Sequence, residues 1–203
     1  MKKPTILTLA FCAGFSIMCF QLVGGRLLAP YFGSSVYVWG SIITVFMLAL
    51  SMGYLLGGKF SLFRPNLKKY GFIFISSALT ITPTIFFSEQ IMDWVFAMIE
   101  DPRYGSLFAS SLLFFVPTVI MGMISPYSVR ILTISRDSSG HTAGFLYFVS
   151  TLGSAIGTIM TSFYFVLWFE IDQIFWLTFG ILFVGGLSSL IVNSLVPLET
   201  KEG

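Results

Sequence analysis

The sequence predicts an all-α membrane protein of six spanning helices plus one helix lying at the membrane surface. Three observations lead there. Hydrophobic residues fill 56% of the 203 positions and charged ones only 10%, against about 25% charged in soluble domains. The mean hydropathy is +0.89, and so few charges cannot keep that much apolar surface in water. The apolar residues are also gathered into six runs of about 20 residues, the length a helix needs to cross a bilayer. Open sheets are excluded in lipid because their edges leave backbone groups unpaired. The length leaves room for one membrane domain and no second globular one. A net charge of +2 is too small to suggest nucleic acid as a partner; the apolar runs make the lipid bilayer the expected one.

The first run, near 5–29, follows Lys2 and Lys3. It starts like a signal peptide, but it is too long for a signal core and no small-x-small site follows, so a retained helix is expected. Cys12 and Cys19 are seven residues apart, about 10.5 Å along a helix. That exceeds the ~7 Å disulfide limit, and both read as packing residues. Arg26 falls near the end of this run, where its side chain can reach the headgroups as an anchor. Its functional reading is a cap on an outward cavity or an anion contact. Gln21 lies about 7.5 Å deeper, on a face with Gly14, Met18 and Gly25. It either bonds across a helix contact or contributes to a polar site.

The second run, near 36–60, carries Gly53 and Gly57 at GxxxG spacing, which marks a close helix contact. The basic loop KFSLFRPNLKK follows, then the third run, near 70–88. In the stretch EQIMDWVFAMIEDPR, Glu89, Asp93, Ala97 and Glu100 recur at helical spacing. This predicts an amphipathic interfacial helix near 89–100, either a connector or a lid over a cavity. The fourth run lies near 105–126. Pro83 and Pro117 interrupt the third and fourth runs, since proline removes a donor and favours a kink. The fifth run, near 141–168, has Gly153 and Gly157 at GxxxG spacing. It also carries Tyr147, Thr151, Ser154, Thr158 and Thr161 on one face. That stripe either lines a path for a solute or packs on another helix through its hydroxyls. The sixth run lies near 173–196.

Lysine and arginine set the orientation. With the N-terminus inside, Lys2, Lys3, Lys59, Arg64, Lys68, Lys69, Arg130, Arg136 and Lys201 fall on the inner side, and only Arg26 and Arg103 outside. The expectation is a multi-pass protein of the inner (cytoplasmic) membrane with both termini in the cytoplasm. Trp39, Trp94, Trp168 and Trp176 then all fall at the outer interface, where aromatic belts form.

Three blocks carry a resemblance. The block GRLLAPYFGSSVYVWGS with the following GYLLGGKF resembles the opening of the membrane domain of fused spermidine-synthase-like proteins. PTVIMGMISPYSVR and GFLYFVSTLGSAIGTIMTSF resemble later blocks of that domain, so the match runs from about Gln21 to Phe169. That domain is in turn similar to half of a major facilitator transporter. Family members often carry Glu where this chain has Gln21. They continue into a soluble aminopropyltransferase domain, whereas this chain ends at Gly203. It has no glycine-rich nucleotide loop between a strand and a helix. The resemblance therefore implies the membrane part alone, with any catalytic half on a separate chain.

Chemistry-bearing sets are few. His141, the single histidine, stands beside Asp137 at the inner start of the fifth run. Without further ligands it makes no metal site, and no Ser-His-Asp set is available within the membrane. No cofactor is implied. No acid lies deep in any run, which argues against a proton-coupled carrier and against tight capture of a polycation. The first expectation is a non-catalytic membrane subunit that docks or serves a separate soluble aminopropyltransferase-like chain. The second is a homodimeric half-transporter for a small amine or amphiphile, its cavity between Gln21, Arg26 and the Thr151 stripe. A structural or lipid-binding role is the third.

Overall fold

A computed structural model describes residues 2–133 and 139–195. Arg136, Asp137 and Lys201, which entered the charge reading, lie outside the described residues. The helices are α1 (Lys2–Phe32), α2 (Val36–Phe60), α3 (Leu67–Met98), α4 (Pro102–Gly122), α5 (Ile124–Leu132), α6 (Ser139–Met160), α7 (Val166–Trp168) and α8 (Ile171–Leu195). A π-helical turn, Thr161–Phe165, joins α6 to α7. Among the described residues there is no strand. Six helical rods are long and apolar enough to cross a membrane, with α4 and α5 forming one rod and α6 to α7 another.

The fold departs from the sequence expectation at 89–98. This stretch is the continuation of α3, not a separate interfacial helix. No residue between Phe87 and Asp93 breaks the helix. Its apolar face is also claimed by protein: Met92 and Val95 are fully buried, and Phe96 packs on Tyr31 and Phe32 at the end of α1. Tyr31 donates to Asp93 Oδ1 at 2.8 Å. At 32 residues, α3 is about 48 Å long, well beyond the ~30 Å hydrocarbon core.

The two prolines do not interrupt their helices either; α3 runs through Pro83 and α4 through Pro117. Each frees the carbonyl four residues earlier, and a threonine hydroxyl takes it up. Thr82 Oγ1 donates to Leu79 O at 2.7 Å, and Thr84 Oγ1 donates to Leu113 O at 2.8 Å. The second bond also ties α3 to α4.

At the centre Phe20 of α1 meets Phe114 of α4, Phe175 of α8 and Phe46 of α2, with ring centroids 5.2, 5.4 and 5.9 Å away. Around this core the helices pair as α1·α6, α2·α4 and α3·α8. Glycine makes each pairing possible. A Cβ on Gly153 would lie 2.2 Å from the Phe11 carbonyl, and one on Gly53 would lie 2.3 Å from that of Val119. Gly157 rests on Phe15 as Gly57 rests on Met123, and Gly14 faces the Ser150 carbonyl as Gly122 faces that of Leu50. In the third pair, Gly71 and Gly186 each face the other's carbonyl.

These contacts match residue for residue when the halves 2–98 and 102–195 are exchanged. Phe11, Gly14 and Phe15 correspond to Val119, Gly122 and Met123; Leu50, Gly53 and Gly57 correspond to Ser150, Gly153 and Gly157. Each half holds three spans, an odd number, so the second enters from the opposite end. The halves are inverted repeats about an axis across the bundle.

The two ends differ. At one, Asn66 caps α3 by accepting from Lys69 N at 2.8 Å. There Tyr70 and Tyr127 stack at 5.9 Å, Tyr70 Oη and Ser128 Oγ lie 2.6 Å apart, and Ser189 Oγ donates to Leu67 O at 2.8 Å. Lys59, Arg64 and Lys68 are exposed at this end. The other end carries Arg26, Arg103, the acids Glu89, Asp93, Glu100, Asp101, Glu170 and Asp172, and all four tryptophans.

Candidate functional site

A cavity of about 380 Å³ opens where the two halves meet, between α1, α2, the end of α4, α5 and α6. It straddles the internal two-fold relation. Its walls include Ala13 with Met121, Gly14 with Gly122, Leu50 with Ser150, and Tyr54 with Ser154, each pair equivalent under the exchange of halves. The glycines bring the backbones close on one side, and the residues beside them point into the space that remains.

Of Gln21, Arg26 and the five-residue α6 stripe singled out from sequence, four residues come together here: Gln21, Tyr147, Thr151 and Ser154. Gln21 is half-buried and its amide bonds to no other described residue. Ser154 Oγ reaches the Gly14 and Ser150 carbonyls, both at 3.2 Å, so it packs α6 on α1 and faces the cavity at once. Thr151 and Tyr147 are exposed on the same wall. Thr158 is not part of it; its hydroxyl folds back to Ser154 O at 2.9 Å.

Arg26 is not part of it either. Its guanidinium donates to the carbonyl of Val166, where the backbone leaves the π turn. It caps that helix end, whose free carbonyls carry partial negative charge. The sequence expectation placed Gln21, Arg26 and the α6 stripe around one space; the structure splits them into two. Arg26 lines a separate hollow of about 320 Å³ near the end of α1. The physical reason is helical phase. Residue 26 lies five positions, or about 500° at 100° per residue, beyond residue 21, so the two side chains leave α1 about 140° apart.

Sequence reasoning missed Tyr54, Ser125 and Ser150. Tyr54 follows Gly53 as Ser154 follows Gly153, so the glycine spacing itself was the signal that could have found it. Thr161, the last of the α6 stripe, turns inward and donates to Cys19 Sγ at 2.9 Å. Cys12 and Cys19 are both free.

None of the cavity's lining residues is charged. An amide, two phenols and several hydroxyls can exchange hydrogen bonds with a solute, beside an apolar floor of Ala10, Ala13, Ile17 and Met18. His141 is exposed at the start of α6, and no group of metal-ligating side chains occurs among the described residues.

Six rods of this length and hydropathy define a multi-pass membrane protein. No family profile, no curated protein and no solved structure matches the chain.

Proposed function

We propose that the protein is a half-transporter: a six-span unit, similar to half of a major facilitator fold, that binds a small amphiphile in the central cavity and acts as a pair of copies. One observation carries the reading. The cavity lies on the axis relating two inverted three-helix repeats, the place where transporters built of such repeats hold their substrates. Six spans supply only part of an enclosure. Tyr54, Tyr147 and Thr151 are exposed, and only 17% of the most apolar stretch of the rod Ser139–Trp168 is buried. A second copy would complete the wall. The lining prescribes the ligand class: hydrogen-bonding and partly apolar, without a fixed negative charge to hold a polyamine. A monoamine would rest on the faces of Tyr54 and Tyr147.

Purified protein in liposomes tests this by uptake of a panel of uncharged amphiphiles and monoamines. Saturable flux above protein-free vesicles, lost in T151A/Y147A, is the expected result. Flux equal to that of empty vesicles, for every compound, would remove the proposal.

The exposed cations Lys59, Arg64 and Lys68 favour a second reading. They offer a docking face for a separate soluble aminopropyltransferase-like chain, as the resemblance implies. Both readings place this basic end, and both termini, in the cytoplasm of a cell with the protein in its inner membrane, by the positive-inside rule. Co-purification in mild detergent separates them; recovery without such a partner counts against docking.

A further inference from the structure

We infer that the hollow beside Arg26 is a second binding site, specific for the anionic headgroup of an amphiphile such as an acidic phospholipid. It is independent of the central cavity. Its walls come from α1, the start of α2 and the π turn after α6.

The charge balance of the hollow points to an anion. Arg26 is its single charged residue, and no carboxylate lines it. A guanidinium has five N–H donors in a planar fork. One Nη1 donor serves the Val166 carbonyl, which fixes the head while leaving most of the fork for a phosphate or carboxylate oxygen. Arginine suits such planar, two-point recognition better than lysine. Ser34 and Ser162 add hydroxyls at the rim, and the described residues give neither a hydrogen-bond partner. The first turn of α2 adds a weak contribution of the same sign. Its cap residue, Ser35, makes no side-chain bond to the helix, so the free amides there keep their partial positive charge.

The apolar half of the hollow points to an amphiphile rather than a bare ion. Leu22, Ala29, Val38 and the Trp39 ring form its floor. The ring lies against α1 because residue 25 is glycine; a Cβ there would stand 2.8 Å from the indole. Depth agrees. Arg26 lies six residues before the end of α1, about 9 Å along the axis, where a headgroup meets its acyl chains.

Trp39 supplies the reporter. In a W94F/W168F/W176F background, which replaces only exposed rings, the protein is placed in vesicles containing brominated phosphatidylglycerol or brominated phosphatidylcholine. Trp39 quenching is expected to be at least twofold greater with the anionic lipid. R26Q should abolish that difference and R26K should keep part of it. S34A/S162A, which leaves the bond to Val166 intact, should reduce it. Equal quenching by the two lipids, or an anionic preference unchanged in R26Q, would overturn the inference. Relief of quenching by millimolar inorganic phosphate would identify a soluble anion as the ligand and overturn the lipid assignment; persistence in phosphate supports the lipid.

Discussion

The helix pairs α1·α6 and α2·α4 have the same backbone contact but different uses. In both, a GxxxG pair sits on bare carbonyls, in matching register. On α2 the residue facing the partner glycine is Leu50, whereas α6 puts Ser150 in that place, and Tyr54 is answered by Ser154. The buried share of the most apolar stretch falls from 39% in α2 to 17% in the rod Ser139–Trp168 that α6 begins. The two also end differently at equivalent points. α2 stops at Phe60 and passes into the basic loop. α6 loses α-helical geometry after Met160 but continues through a π turn that Arg26 caps. Glycine packing thus holds the frame in both halves, while the hydroxyls and the π turn are what the second half alone adds to sites that both halves line. Such π turns often occur at functional positions.

The largest test of this equivalence is at the glycines. G53V and G153V each force a side chain into a backbone carbonyl, which cannot step aside as a flexible side chain can. Each should cost about 1–3 kcal/mol of overpacking strain, read as loss of folded protein in a detergent thermal melt. Similar losses sharpen the pairing; a tolerated G153V would break it. Smaller is S154A, which removes a hydroxyl shared between the Gly14 and Ser150 carbonyls. Interhelical bonds of this kind average about 0.6 kcal/mol, so stability should barely move while ligand binding in the central cavity weakens. A drop as large as that of G153V would make Ser154 a structural residue only. No loss is expected at Gly40 and Gly140, another equivalent pair, where a Cβ meets nothing within 4 Å. G40A and G140A should leave stability unchanged or raise it by up to about 1 kcal/mol.

Much of the frame was legible in the sequence. Hydropathy and helical spacing picked out the six runs and the two GxxxG contacts, and grouped four residues that line one cavity. The interfacial helix was not, because amphipathicity does not say what covers the apolar face. Met92 and Val95 could have faced lipid, but both are buried in the core, and their neighbours Asp93 and Phe96 meet Tyr31 and Phe32 of α1. The prolines misled for a similar reason: the hydroxyls that repair their helices come from tertiary or local partners that spacing does not reveal.

Solvent chose the element type. With so few charges and such long apolar runs, lipid is the medium, and in lipid a chain must satisfy its backbone within helices. That is a local requirement, so the sequence alone determined it. Which faces meet is not local. The pairing of α6 with α1 and the cavity on the two-fold axis depend on how close the backbones approach, and that was decided only when the glycines of one half met the carbonyls of the other.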